Sequence, residues 1–153
     1  MSLRSTATQH VSAPPGRLFA LATDFAGAPQ RISGIKRLEL LTPEPVGVGT
    51  KFRETRVMFG KEATETMEVV DFQPGRSYTL RAVNCGCEYR TTVSVAPAPG
   101  GSQITFDFNA TALTFGAKVM GTLMGWLVKN ACAKAVRQDL LELKAAAEQA
   151  TPA

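Results

Sequence analysis

The chain is poor in the side chains that most often carry chemistry. Its 153 residues include one histidine, His10, and three cysteines, Cys85, Cys87 and Cys132. A structural zinc site or a redox dithiol needs a second ligand pair or a CxxC spacing, and neither is present. Three cysteines make no disulfide framework, which agrees with a reducing compartment. Long apolar runs are missing too. The longest, Val119–Val128, lies between Lys118 and Lys129 and is too short to span a bilayer. The net charge of +4 and the pI near 9.2 come from scattered residues, with no Lys/Arg block. A nucleic-acid surface needs clustering as well as excess, so none is expected. Met1 to Val11 holds one arginine and no apolar centre, unlike a signal peptide. These absences lead us to expect a cytoplasmic protein with no membrane insertion. Apolar content of 44% and charged content of 20% fit a soluble globular domain with a sizeable core.

What is present is a strand-rich body followed by one long helix. Arg4 to Val11 alternates loosely and reads as a first strand. Ser12, Pro14 and Pro15 form a helix-start signal, with a capping hydroxyl and then proline where its missing N–H costs nothing. Leu18, Phe19, Leu21 and Ala22 give a short helix an apolar face, and a second short helix follows over about 26–32. Six further strands are expected over 35–41, 51–59, 61–72, 77–84, 87–95 and 103–111, cut by Gly and Pro turns. Pro97, Pro99, Gly100 and Gly101 are read as the last turn. Short connections between consecutive strands exclude a parallel α/β sheet and imply an antiparallel meander. From Phe115 to Gln149 there is no proline, and Ala, Leu, Met, Lys and Glu predominate, so one helix is expected there. Only the sheet is large enough to receive its apolar face.

Several stretches resemble one family. Val11-Ser-Ala-Pro-Pro-Gly-Arg-Leu-Phe-Ala-Leu-Ala-Thr-Asp24 resembles the strand-to-helix signature of START-like, or Bet v 1-like, proteins. The resemblance is in particular to the bacterial polyketide cyclase/dehydrase and lipid transport proteins. Val48-Gly49-Thr50-Lys51-Phe52, Met67 to Gly75, and Gly100 to Ile104 resemble further strand entries and turns of that family. Where the family often carries a tryptophan, Ala28-Pro29 is here followed by Gln30 and Arg31. The resemblance implies an α+β helix-grip fold. A curved antiparallel sheet of about seven strands would surround the long C-terminal helix, with two short helices after the first strand. Residues 1–149 would form a single domain, with 150–153 a frayed end. The family includes carriers, cyclases and binding modules, so the fold alone does not name the function.

The candidate site follows from strand parity. With Phe52 inward, Glu54 and Arg56 share its face, and two such charges inside need each other or a cavity. The opposite parity would turn Arg53 and Thr55 inward. Ile104, Phe106, Phe108 and Ala110 alternate strictly with polar residues and face in, as do Tyr89, Thr91, Val93 and Val95, and Tyr78, Leu80 and Ala82. The long helix divides in two. Val136, Leu140, Leu143 and Ala147 form a regular docking stripe, while Lys134, Arg137, Asp139, Glu142 and Lys144 are expected to face water. The first half is apolar almost all round and rich in methionine, which suits irregular contents. The expected ligand-binding set is therefore Phe52, Glu54, Arg56, Tyr89, Phe106, Phe108, Met120, Leu123, Met124 and Leu127. Glu54, Arg56 and Tyr89 are the only candidates for acid–base work. His10 has opposite parity to Val11 and reads as a surface residue, and Cys85-Gly86-Cys87 reads as a tight bend. Glu62, Glu65, Glu68 and Asp71 fall on alternating faces and read as solvated.

The expected function is binding of a small-to-medium apolar ligand, such as a lipid, quinone, polyketide or aromatic metabolite, between sheet and helix. The rivals are a cyclase, aromatase or dehydratase in the same cavity, and a protein-interaction module whose cavity is filled. No cofactor or metal is called for, and either a monomer or a homodimer is compatible with the sequence. A cavity under roughly 300 Å³ would fall below the usual range for a ligand site.

Overall fold

In a computed structural model of the protein, strand and helix follow one another in the expected order. They are β1 (Ser2–Val11), α1 (Pro15–Thr23), α2 (Ala28–Arg31), β2 (Ile35–Leu40), β3 (Lys51–Met58), β4 (Lys61–Gln73), β5 (Ser77–Asn84), β6 (Cys87–Ala98), β7 (Gly101–Ala112) and α3 (Phe115–Gln149). The structure describes the backbone of residues 2–43, 45–58, 60–84 and 86–149, and the side chains of these except at 2, 3, 58, 84, 121, 122, 124–129 and 132. The frayed end expected at 150–153 lies outside the described residues.

The seven strands form one open sheet in the order β1-β7-β6-β5-β4-β3-β2, antiparallel throughout. Every consecutive pair from β2 to β7 is therefore adjacent, and β1 closes onto β7. That is the outcome when short Gly and Pro turns leave no room for a crossover. Register shifts interrupt the ladder between Ile35 and Arg37 and between Val69 and Asp71. The β6–β7 hairpin runs further than the sequence reading placed it. Pro97 pairs with Ser102 inside the ladder, and the turn is Pro99-Gly100 alone. Gly100 takes the positive φ of +79° that this tight connection needs.

The inner face of the sheet carries the core. Val11, Phe52, Val69, Tyr78, Val93, Val95 and Ile104 are buried there and meet Leu18 and Phe19 of α1 and Leu140, Leu143 and Ala147 of α3. The expected docking stripe of α3 is thus the one that docks, and Val136 packs against its edge. The helix lies chiefly along β1 and touches α1, α2 and β7.

The start of α1 differs from the expectation in one respect. Pro15 occupies the first turn as anticipated, but Pro14 is the N-cap and no side chain caps the helix. Ser12 instead donates its backbone N–H to Glu148 of α3 over 2.7 Å. Arg17 Nε donates to the Ala147 carbonyl at 2.9 Å, so two bonds tie this junction to the C-terminal end of α3. On its other side the junction is held by Ser102, whose fully buried hydroxyl donates to the Ala13 carbonyl at 2.8 Å.

Gly101 makes that approach possible. A Cβ there would lie 2.2 Å from the Val11 carbonyl oxygen and 2.9 Å from the Ala13 nitrogen. Both are backbone atoms, so no side chain can swing away. Gly101→Ala is expected to cost about 2 kcal/mol or more, the scale of other forced backbone conflicts. Thermal unfolding should show a melting temperature lower by several degrees. A variant melting with the wild type would mean that the β1–α1 junction moves freely aside.

Candidate functional site

The inner face, α1, α2 and the C-terminal half of α3 enclose a cavity of about 100 Å³. Its walls are mostly apolar: Leu21 and Ala22 from α1, Phe25 from the turn after it, Ile32 just past α2, Ile35, Phe52, Leu80, Val93 and Phe106 from the sheet, and Leu143 from α3. Aromatic rings brace one side. Phe25 stacks on Phe52 with centroids 4.5 Å apart and meets Tyr78 edge-on at 5.6 Å. Phe19 meets Phe72 and Tyr78 edge-on at 5.7 and 6.1 Å. The buried Tyr78 hydroxyl donates to the Ala22 carbonyl at 3.2 Å, and burial raises its pKa well above the usual tyrosine value.

One end of the cavity is charged. Phe52 is 1% exposed and Glu54 8%, so β3 has the parity that turns Phe52, Glu54 and Arg56 inward. Arg56 reaches across to α3 and grips Asp139 with two parallel bonds, Nη1 to Oδ1 at 3.2 Å and Nη2 to Oδ2 at 2.7 Å. Its Nε donates to Glu54 Oε1. One guanidinium therefore serves two carboxylates from different layers of the fold. Gly34 lies against this cluster, where a Cβ would stand 3.1 Å from Arg56 Nη1. Burial pushes the Glu54 carboxyl above the ordinary carboxylate range, and the attraction of Arg56 only partly offsets it. Asp139 is likewise raised by burial against the pull of Arg56. Burial opposes the charge on Arg56, yet its two carboxylates more than restore it, and the guanidinium stays charged.

Asp139 corrects the sequence reading, which turned it toward water with Lys134 and Arg137. It is 9% exposed. A signal was present: Asp139 stands three residues after Val136 and four before Leu143, on the shoulder of the docking stripe. The wall supplied by α1 and α2 was missed as well. Apolar residues on two short helices look the same whether they face a core or a space.

The expected site residues divide into three groups. Phe52, Glu54, Arg56 and Phe106 line the cavity together. Tyr89 and Phe108 stack on each other at 6.0 Å, outside the lining. They share strand parity with Thr91 and Phe106, so they continue the same inner face toward the start of α3. Met120 and Leu123 stand on the first half of α3 and are 55% and 68% exposed. The side chains of Met124 and Leu127 lie outside the described residues. Elsewhere, the His10 ring bonds the Pro99 carbonyl at 2.9 Å on the outer side of the β6–β7 hairpin. Gly86 turns at φ +75° between the two cysteines, with Cys85 outside the described residues. Glu62 pairs with Lys36 at 2.7 Å and Arg37 at 3.1 Å on the surface. Among the described residues no helix is long and apolar enough to cross a membrane.

An open antiparallel sheet gripping a C-terminal helix, with short helices over one end of an apolar space, is the helix-grip architecture of START and Bet v 1-like proteins. Residues 2–148 match the family model described as polyketide cyclase / dehydrase and lipid transport, and the chain belongs to that family. Solved structures agree on the fold. TTHA0849 from Thermus thermophilus aligns with a TM-score of 0.79 at 21% identity, over 99% of this chain and 100% of that one. The Zhui aromatase/cyclase from Streptomyces sp. R1128 aligns with a TM-score of 0.78 at 16% identity, covering 97% and 94%. A START superfamily protein from Mycobacterium smegmatis aligns with a TM-score of 0.76 at 16% identity, covering 98% and 99%. No curated protein matches the sequence.

The charged cluster has a pH signature of defined sign. Because Glu54 and Asp139 are raised, the folded protein holds protons that the unfolded chain has already released. Their contribution to stability therefore falls as pH rises from the ordinary carboxylate range through the raised values. Glu54→Gln removes one part of that slope and leaves a neutral Arg56–Asp139 pair. Denaturant unfolding at about pH 4.5, 6 and 8 should show the variant gaining on the wild type as pH rises. Parallel curves would show that Glu54 titrates as it does in the unfolded chain. Arg56→Met strands two buried carboxylates and should cost about 3–5 kcal/mol near neutral pH.

Proposed function

We propose that the protein binds a small apolar, ring-bearing molecule between the sheet and α3, with the Glu54–Arg56–Asp139 cluster meeting its polar end. The observation that carries this reading is the juxtaposition itself: an apolar space whose charge is gathered at one end. A pocket of this kind fixes a ligand's orientation, since apolar walls supply affinity and few polar groups supply direction. Lipid, quinone, polyketide and aromatic metabolite remain the candidate classes, and the family description names two of these chemistries.

The volume limits how much is held in this shape. About 100 Å³ falls below the roughly 300 Å³ usual for a ligand site and below the roughly 150 Å³ of an engineered apolar cavity that takes a benzene, which counts against a ligand larger than one ring unless the walls give. A longer ligand would run along the inner face past Phe106 to the Tyr89–Phe108 stack. There it would come under the first turns of α3, whose Phe115, Val119, Met120 and Leu123 are exposed. Those four project from one side of the helix, an apolar face that a ligand's tail would cover. Transport is a natural extension, as a face so exposed gives the tail a way in and out.

A specific observation favours a second reading, acid–base catalysis in the same space. Glu54 is a buried carboxyl whose pKa burial raises above the ordinary range, and it touches both the cavity and Arg56. Such a group is placed to protonate a departing hydroxyl or a developing enolate, as dehydration and ring closure require. Under this reading Glu54→Gln abolishes turnover of a polyketide-like substrate while binding persists. Under the carrier reading there is no turnover to lose.

The binding reading is tested by filling the space. Leu80→Trp adds bulk at a half-buried wall position away from the charged cluster. Binding of toluene, followed by backbone amide shifts of the lining residues, should weaken by at least about tenfold, the effect expected of losing a pocket contact or two. Circular dichroism keeps the fold in view. If native mass spectrometry finds no small molecule on protein purified from cells, and toluene does not enter the wild type, the filled-cavity interaction module is the better reading.

A further inference from the structure

We infer that the charged end of the cavity selects ligands whose polar head donates a hydrogen bond, such as a phenol, an enol or an alcohol, and rejects carboxylates. This rests on the binding reading above and narrows its ligand class.

The reasoning is a count of charges and of hydrogen-bonding capacity. Arg56 brings one positive charge, and Glu54 and Asp139 bring two negative ones, all with side chains 24% exposed or less. A guanidinium has five N–H donors, and two carboxylates have about eight acceptor positions. Three of the five donors already go to the two carboxylates. Even with every remaining N–H engaged, the cluster is left with more acceptors than donors. A ligand hydroxyl completes it, while a ligand carbonyl or carboxylate competes for donors in short supply.

The other polar groups of the lining do not reverse the balance. Arg31 also lines the cavity, but its Nη2 bonds the Leu21 carbonyl at 3.3 Å and the Asp24 carbonyl at 2.9 Å. The same nitrogen pairs with the Asp24 carboxylate at 3.1 Å. Tyr78 commits its proton to Ala22. Thr91, the other hydroxyl among the described lining residues, donates and accepts alike and favours neither kind of head. Close behind the cluster, Glu142 bonds the Ser33 N–H and adds further negative charge. An incoming carboxylate would be a third anion beside two buried ones, and the charge of Arg31, the other arginine of the lining, is already paired with Asp24. In a poorly screened space that repulsion is large. A neutral hydroxyl meets no such barrier and donates to a charged acceptor, the stronger kind of hydrogen bond. Among the classes named above, free fatty acids and aromatic acids are thereby excluded, and of a quinone and its quinol the hydroxylated form is preferred.

The test is a matched series of single-ring probes: toluene, phenol and benzoate. Each is titrated into the purified full-length protein near pH 7.5 and followed by backbone amide shifts of the lining residues. The expected order is phenol first, then toluene, with benzoate at least about tenfold weaker than phenol, as a hydrogen bond to a charged group implies. Glu54→Gln and Asp139→Asn each remove one negative charge and should narrow the gap between phenol and benzoate. Two variants guard against one of them failing to fold, and the wild-type series decides by itself if both do. Benzoate binding as tightly as phenol overturns the inference. So does a gap that both variants leave unchanged. Toluene binding with no gain for phenol overturns it too, while leaving the apolar-cavity reading in place. If all three probes leave the lining residues unmoved, the binding reading fails and takes this inference with it.

Discussion

A single half-buried guanidinium ties the two layers of this fold together. Arg56 comes from the sheet, Asp139 from the helix above it, and Glu54 from the same strand two residues earlier. Buried charges are costly unless paired and hydrogen-bonded, and a pair gripped by two parallel bonds tolerates little rotation. The bridge therefore sets the roll of α3 over β3 more sharply than apolar packing can. Leucines slide past one another at little cost, whereas a two-pronged ion pair that slips loses both bonds. Such a bridge is weak evidence for stability, since a well-packed apolar substitute is often as stable or more so. Its value here is positional. It stands where an apolar core of the same shape would leave no polar end to a cavity.

That constraint explains why α3 behaves as two helices in one. Past Asp139 the helix is fixed from several sides: Leu140, Leu143 and Ala147 are buried, Glu142 bonds Ser33, and Glu148 and the Ala147 carbonyl hold the β1–α1 junction. In the opening turns Phe115, Val119, Met120 and Leu123 are exposed instead. A helix needs only one face docked to stay folded, and here a single stretch of docking serves the whole length. The exposed face costs solvation that a bound tail would relieve. Under the binding proposal, the closed end would position a head group and the open end would leave room for a ligand longer than the cavity.

Strand order, the two short helices and the long helix were legible in the sequence, because Gly and Pro punctuate the chain and the apolar period changes from two to about 3.6 after Thr111. The parity of β3 was legible only as a choice. Phe52 favoured the inward setting, and the structure adopts it, bringing Glu54 and Arg56 to the cavity. Asp139 was not legible as a partner. Its place on the shoulder of the docking stripe could suggest burial, but its partner lies 83 residues away and no local pattern names it. Ser12 shows the same limit at smaller scale. A serine before Pro14-Pro15 reads as a cap, but its main-chain N–H is claimed by Glu148, from the far end of the chain.

The size of the space was beyond sequence reasoning for a different reason. Residue types on inner faces fix what lines a cavity, not how far apart its walls stand. Phe25 stacked on Phe52 and Tyr78 pressed against Phe19 use volume that smaller neighbours would have left empty. The same aromatic residues that suggest a ligand pocket from the sequence can thus fill it in the structure. What separates a filled core from a binding site is the charge. A purely apolar core of the same shape would need no such cluster, and here the cluster faces the cavity as well as tying β3 to α3. Under the proposal above, a ligand hydroxyl is the simplest group that would answer the surplus of acceptors at this end of the cavity.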